Sequence, residues 1–295
     1  MRRRSALSTL AVLVVVVGLT SSVSGCVDAT GRPPREPTPG VPHFTVMTFN
    51  VHRDRWKDES TVAAVGARDA DIVCLQETTS EWTRVIEERY RAQYAHMLFA
   101  PKENAGGLAI LSRFPLVDRG VMPVPGDWHP AWHVLAQTPG GPVQILNVHL
   151  RSMFEGDASV LSNYLATGND HVYELSLFME GALAGVPTII AGDFNESPSG
   201  KGVRWPEARG FENALPMFKP DAATWQGGSV AKALTMTIDH VMFDRSFEAL
   251  DAWVDGSGRS DHRPVVAWLE MPPKDRAERV KVPAAAPASS KDAPE

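Results

Sequence analysis

The sequence predicts an α/β domain built from β-sheets packed face to face, with helices on their outer sides. Three observations carry that expectation. Eight short runs space their apolar residues as strands do, helical patterns fall between only some of them, and a composition of 43% hydrophobic and 22% charged residues supplies a sizeable core. No internal repeat interrupts the 295 residues.

A leader precedes these elements. "MRRR" is a positive start, 10–19 (LAVLVVVVGL) is an apolar run, and "VSGC" closes on Cys26. A membrane-spanning helix needs about 20 apolar residues, so this order of basic, apolar and small reads as a signal peptide over 1–25. The "VSGC" tetrapeptide resembles the lipobox of bacterial lipoproteins. That resemblance implies cleavage before Cys26, acylation of its thiol, and a protein exported and lipid-anchored at the bacterial cell envelope, on a membrane surface. Cys74 then has no intramolecular partner, so no disulfide is expected, and its apolar setting in "DIVCLQE" reads as a buried thiol. Residues 26–42, rich in Pro, Gly and Thr, read as a flexible linker. Residues 43–271 read as the folded domain, and 272–295, without apolar periodicity, as a disordered tail.

Within the domain, "FTVMTFNVH" alternates, setting Phe44, Val46, Thr48 and Asn50 on one face and Thr45, Met47, Phe49 and Val51 on the other. Further strands are expected at 71–77, 107–113, 131–138, 143–150, 187–195, 237–244 and 263–270, each bounded by Gly, Pro or Asp. Helices are expected over 60–70, 80–91 and 172–184. In the last, Leu175, Phe178, Met179 and Ala182 keep 3–4 spacing and belong to the core.

Several strands end on residues that bind cations or move protons. They are Asn50, Glu77, Asn147 with His149, Asp193 with Asn195, Asp239, and Asp261 with His262. A lone Glu after a strand is an ordinary solvated end; six such endings in suitable chemical classes point to a site carried on a rigid scaffold. Carboxylates with an Asn amide are hard oxygen donors suited to Mg²⁺, Mn²⁺ or Ca²⁺, whereas no Cys or His pair has zinc spacing. Two histidines add groups that titrate near neutrality. An oxygen-held metal with paired histidines suits attack of water on phosphorus.

The ordered series "TFNV", "LQE", "GGLAILSRFP", "NVHL", "AGDFNESP", "IDHV" and "SDHRPV" resembles the endonuclease/exonuclease/phosphatase superfamily, from about residue 44 to 269. The resemblance implies a four-layer α/β sandwich of two packed mixed sheets flanked by helices, with the site at one edge. It implies a metal-dependent hydrolase of phosphodiester or phosphomonoester bonds, with Mg²⁺ (or Mn²⁺ or Ca²⁺) on Glu77, Asn50 and Asp261. Asp193 would orient or deprotonate the water, and Asn195 would position water and phosphate. His149 would stabilise phosphoryl oxygens or protonate the leaving group, and His262, held by Asp239, would be the second catalytic histidine. Which histidine is acid and which base stays open. Asn147 and Arg151 are the candidate substrate contacts.

Asp-His occurs three times, and strand geometry separates the three. Neighbours on a strand point to opposite faces, so Asp261 and His262 diverge and Asp239 becomes the partner of His262. The same rule makes His240 structural. In "NDHV", Asp170 reads as the N-cap of the following helix and His171 as structural. The stretch 151–170 reads as an insertion beside the site that shapes specificity, while Trp205 and Trp225 read as buried aromatics. Loss of Arg2, Arg3 and Arg4 with the leader takes the net charge from −6 to −9, the opposite of a tight nucleic-acid binder. The chain is expected to act as a monomer on a nucleic acid, a phospholipid or a small phosphate ester. The alternative reading is a non-catalytic envelope lipoprotein that keeps the scaffold as a binding module.

Overall fold

The computed structural model describes residues 31–124, 129–152, 160–227 and 234–272, the side chains of 160–166 excepted. The leader, Cys26, the segment 273–295 and residues 153–159 of the stretch after "NVHL" lie outside the described residues. Among the described residues no helix is long and apolar enough to cross a membrane.

Alternation decides the layers. In β1 (His43–Asn50), Phe44 and Val46 are buried on one face and Met47 and Phe49 on the other. β2 (Ile72–Gln76) repeats this, with Ile72 and Cys74 beside Phe44 and with Val73 and Leu75 beside Met47. Strands buried on both faces need a packing layer on each. One sheet runs in the order β13 (Glu248–Val254), β14 (Val265–Glu270), β1, β2, β4 (Leu108–Ser112), β3 (His96–Ala100). The other runs β5 (Leu116–Met122), β6 (Ala131–Thr138), β7 (Gly141–His149), β8 (Thr188–Asp193), β12 (Asp239–Phe243), β9 (Glu212–Asn213). A short pair, β10 (Trp225–Gln226) and β11 (Thr235–Met236), stands apart. Val143, Ile145, Ile189, Ala191 and Val241 fill the space between the two sheets together with Phe44 and Ile72.

Helices complete the outer layers. α1 (Glu59–Ala64) and α2 (Ser80–Tyr90) lie against the first sheet. Thr79 caps α2, its Oγ1 accepting the Trp82 N–H at 3.4 Å, and Trp82, Ile86 and Tyr90 form the buried stripe at four-residue spacing. α3 (Val160–Glu180) and α4 (Lys201–Glu207) cover the second sheet, where Leu175, Phe178 and Val203 meet Leu146, Val148 and Ile190. α5 (Ala214–Phe218) wedges Leu215 and Phe218 into the intersheet core. The architecture is therefore the four-layer α/β sandwich with two mixed sheets.

Topology brings polar strand ends to one edge. β1 and β2 are parallel, as are β7 and β8, so each sheet carries a pair of strands ending together. β12 is antiparallel to β8 and β14 to β1, so both begin at the edge where those pairs end.

The eight expected strands are the eight interior strands of the two sheets, and the four edge strands β13, β3, β5 and β9 escaped the sequence reading. β5 is mostly exposed and bulged between Asp118 and Gly120, and β13 is bulged between Ala249 and Asp251, so neither keeps a clean alternation. The helix expected over 60–70 stops at Ala64. α3 begins at Val160, ten residues before Asp170, which corrects the reading of Asp170 as an N-cap: it sits inside the helix. The described part of the N-terminal linker, 31–42, lies against the body. Arg32 N–H donates to Met217 O at 2.7 Å and Arg35 N–H to Leu250 O at 3.0 Å. The Arg35 guanidinium pairs with Glu248 at 2.7 Å and with Glu270 at 2.8 Å. Cys74 is a free, buried thiol, pushed up to about 12 by burial.

Candidate active site

The intersheet core turns polar in two steps as it nears the edge. Phe44, Val46, Thr48 and Asn50 share one face of β1, as Ile72, Cys74 and Gln76 share one of β2 and Val143, Ile145, Asn147 and His149 one of β7. In the first step Gln76 Nε2–H donates to Asn147 Oδ1 at 2.7 Å and to Thr48 Oγ1 at 3.1 Å. Asn147 Nδ2 donates to Leu75 O at 3.1 Å and to Ala109 O at 3.0 Å, so its amide ties the two sheets together. Asn147 is fully buried, and its reading as a substrate contact is therefore corrected: it is the floor under the site, one rung too deep.

The second step is the reactive layer. His149 pairs with Asp193 across β7 and β8, and Asp193 with Asp239 across β8 and β12, so all three lie on one rung and face the other sheet. A Cβ on the neighbouring Gly192 would fall 1.8 Å from Val148 O, which demands glycine where β8 presses on β7. From the first sheet, Asn50 Nδ2 donates to Asp193 Oδ2 at 3.1 Å and to Glu77 Oε1 at 3.0 Å. His262, in the turn before β14, sets Nδ1 3.0 Å from both oxygens of Asp239. Its Nε2 lies 3.5 Å from Asp193 Oδ2, and His149 Nε2 lies 3.6 Å from the same oxygen. His149 Nδ1 is 3.0 Å from the Ala105 carbonyl, which accepts its proton and leaves Nε2 as the open nitrogen. One buried carboxylate thus stands between two imidazoles.

Electrostatics follow from that placement. Burial works against charge on His262, but Asp239 and then Asp193 outweigh it and push it up to about 10. Burial raises Asp193, yet His262, His149 and the bonds from Asn50 and Asn195 hold it below the usual carboxylate range. Asp239 is pushed up to about 6 by burial against the pull of His262. Two carboxylates face one imidazole, so the shared proton stays on His262.

Around this layer lies a cavity of about 230 Å³, lined by Glu77, Asn195, Asp261, His149, Asp193 and His262 together with Ala105, His129, Ser152 and Trp225. Glu77 and Asn195 both hold left-handed backbone, φ 60° and 50°, at the ends of the two parallel pairs. Such strain costs about 1–3 kcal/mol per residue and persists where the surroundings enforce it. Here Asn195 N–H donates to Asp193 Oδ1 at 2.9 Å and its Nδ2 to Leu150 O at 2.9 Å. Glu77 Oε2 accepts the Arg53 N–H at 3.2 Å. Asp261 Oδ2 accepts the indole N–H of Trp225 at 3.1 Å. Trp225 is buried, as expected, but it is also a wall of the site. A larger apolar recess of about 420 Å³ lies at the far end, between Pro42, Gly140 and Met271, and among the described residues no ionisable side chain lines it.

The donor set fits a hard divalent cation. Glu77 and Asp261 line the cavity with carboxylate oxygens, and Asn50 reaches Glu77 from below. Asp193, Asp239 and His262 also offer ligand atoms within 4.8 Å of one another, but their nitrogens and oxygens face each other around a held proton. That trio reads as proton-handling machinery.

Arg151, expected as a substrate contact, donates from its guanidinium to Asp170 Oδ2 at 2.9 Å, and Ser152, the next residue, lines the cavity. The sequence reading also missed His129. Its ring centroid lies 4.0 Å from that of His149 at 38°, and burial, then the neighbouring His149, push it down to about 3, so it is neutral. In the remaining two Asp-His pairs both ring nitrogens are taken up by protein partners. His240 Nε2 lies 2.9 Å from Glu196 O and Nδ1 3.0 Å from Asn213 Nδ2, an arrangement that suits the neutral ring. Burial pushes His240 down to about 4. His171, fully buried, lies between Glu196 and Arg151.

Comparison with known proteins places these features in a family. The family described as Endonuclease/Exonuclease/phosphatase family matches residues 47–262. Among solved structures, an endonuclease/exonuclease/phosphatase from Beutenbergia cavernae is similar with a TM-score of 0.60 at 21% identity, covering 78% of this chain and 72% of that one. A truncated TDP2 from Caenorhabditis elegans gives a TM-score of 0.59 at 18% identity over 78% and 98% of the two chains. An AP endonuclease from Archaeoglobus fulgidus gives 0.58 at 18% identity over 76% and 98%. At these identities the likeness speaks for the fold. No curated protein matches the chain in sequence.

Proposed function

We propose, from the premise that the chain belongs to the endonuclease/exonuclease/phosphatase family, that it is a metal-dependent phosphodiesterase acting at the bacterial cell envelope. The observation that carries this reading is Asp193, buried between the open Nε2 atoms of His149 and His262 in a cavity walled by oxygen donors. Glu77, Asn50 and Asp261 would hold Mg²⁺, which supplies neutralisation of phosphoryl oxygens when bound. Asp193 Oδ2 orients a water and takes its proton as the water attacks phosphorus. Asn195, fixed by Leu150 O, presents its remaining amide atoms to water and phosphate. His262 keeps its proton over the phosphoryl oxygens because Asp239 backs its Nδ1. His149 Nε2, on the other side of Asp193, takes on the proton that Asp193 draws from the water and hands it to the leaving oxygen.

Among the described residues, those lining the cavity include no Lys or Arg. That favours a single phosphodiester, such as a lipid headgroup, over a duplex tracked along its backbone. A lipid anchor on Cys26 would keep the site near such substrates. Chain lacking residues 1–26 should hydrolyse bis-p-nitrophenyl phosphate with Mg²⁺ or Mn²⁺ and stop on chelation. Sphingomyelin, phosphoinositides, plasmid DNA and RNA tested in parallel identify the substrate class. No hydrolysis of any substrate with any divalent metal would sink the reading. Separately, Cys26→Ala should move the full chain from the membrane fraction to the soluble one, and an unchanged distribution would reject the anchor.

A further inference from the structure

The stretch after "NVHL" and the loop after "GDFN" are tied together by a second buried histidine. His171 lies on α3, fully buried, with Nε2 2.8 Å from Arg151 O and Nδ1 2.9 Å from Glu196 Oε2. Arg151 immediately precedes Ser152, and Glu196 immediately follows Asn195, both of which line the cavity. We propose that His171 is a positioning residue of the reaction centre, its two ring hydrogen bonds setting the distance between the strand ends that carry Ser152 and Asn195.

The bond partners decide its charge. A carbonyl only accepts, and Glu196 is held as a carboxylate by N–H groups of Lys201 and Gly202, each at 2.7 Å. Both ring nitrogens therefore donate, and His171 is an imidazolium. Burial opposes that charge, but Glu196, the Arg151 carbonyl and the nearby Glu174 outweigh it and raise His171 above its ordinary value. The groups facing it are Glu174 from its own helix, Glu196 from the β8–α4 loop, and Arg151 from the end of β7, whose guanidinium is paired with Asp170. Glu174 Oε2 accepts the Arg151 N–H at 3.3 Å, and burial pushes Glu174 up to about 7. The clamp has no slack: a Cβ on Gly202 would lie 2.6 Å from Glu196 Oε2 and 2.7 Å from His171 Cβ.

This inference rests on the proposed hydrolase reading, so its test has an arm that needs no turnover. His171→Phe keeps the ring without donors, and His171→Arg restores a cation with two donors. Positioning predicts that kcat on bis-p-nitrophenyl phosphate falls about 10- to 100-fold in His171→Phe, with KM moving less, and is mostly recovered in His171→Arg. A folded His171→Phe with wild-type kcat, or His171→Arg no better than His171→Phe, overturns it. Should His171→Phe fail to fold, the pH profile decides. Wild-type kcat should begin to fall at a lower alkaline pH than in His171→Arg, which keeps only the loss that His262 brings, and superimposable profiles overturn the proposal. Should the protein hydrolyse nothing, amide exchange decides between His171→Arg and wild type at pH above the His171 transition. Faster exchange at 151–152 and 195–197 in wild type alone supports the clamp, and equal exchange rejects it.

Discussion

His262 and His171 are both buried, and each sets Nδ1 against a carboxylate, at 3.0 Å from Asp239 and 2.9 Å from Glu196. The difference lies at the other nitrogen. Nε2 of His262 looks past Asp193 into the cavity at 3.5 Å, too long for a committed bond, whereas Nε2 of His171 is closed on the Arg151 carbonyl at 2.8 Å. A carboxylate behind an imidazole is thus no mark of catalysis by itself. What the second nitrogen is free to reach separates a proton carrier from a clamp, and that depends on which elements end nearby.

The widest separation between the two should come from His262→Ala. Loss of a proton-handling group costs about 10²–10⁴-fold in rate, and here the loss should sit at the upper end, because Asp193 and Asp239 are left buried with no cation between them. Asp239→Asn, which keeps the fold but removes the charge behind Nδ1, should cost about 10²-fold or more in kcat. Steady-state kinetics with circular dichroism to confirm folding check both, and activity near wild type in either would erase the distinction drawn from the second nitrogen. Next in size, Glu77→Gln should raise the Mg²⁺ concentration for half-maximal activity by at least about 10-fold while leaving the proton machinery intact. A metal titration that superimposes on wild type would move the cation away from Glu77, towards the Asp193–Asp239–His262 trio.

Asn147 sharpens the comparison from the structural side. Asn147→Leu strands Gln76 and the carbonyls of Leu75 and Ala109 in the intersheet core. It should cost about 2–4 kcal/mol of stability, with kcat per folded molecule within about 3-fold of wild type. Denaturant unfolding beside kinetics tests this, and a large kcat loss at unchanged stability would restore Asn147 as a substrate contact.

The sequence was legible where tertiary structure merely extends local pattern. Interior strands read as short apolar runs because both faces are buried, so β1, β2, β7, β8 and β12 announce themselves and carry Asn50, Glu77, His149, Asp193 and Asp239 at their ends. Edge strands obey no such rule, and β3, β5, β9 and β13 left no periodic trace. Asn147 was misjudged because period two gives the face of a strand and not the depth along it: Asn147 and His149 share a face, and only the packing of Gln76 separates floor from wall. His129 and Ser152 come from loops, and Trp225 from the two-residue strand β10, and all reach the cavity by long-range contacts, which spacing does not encode. Asp170 looked like a cap because Asn-Asp suits helix starts, but α3 had already begun at Val160.

The third Asp-His pair gives the smallest effect and the one whose sign is least intuitive. His240 has both nitrogens bonded, as His171 has, yet one partner donates: Asn213 Nδ2 gives its proton to Nδ1, while Nε2–H donates to Glu196 O. The ring must stay neutral to accept, and burial pushes its folded pKa down to about 4 against an ordinary 6.5. Above about pH 6.5 the ring is neutral folded or unfolded, and its contribution to stability is complete. As pH falls towards 4 the unfolded chain takes up a proton that the folded one refuses, and stability is lost. At pH 5 that loss is about 2 kcal/mol. His171, raised, runs the other way: its contribution is whole below pH 6.5 and fades as pH climbs through its higher folded value. His240→Gln preserves one donor and one acceptor without titrating. Urea unfolding at pH 7 and pH 5 should therefore show wild type losing about 2 kcal/mol more than His240→Gln. Equal losses would mean that His240 accepts the proton in place, and that its partner is an Asn213 turned to offer oxygen.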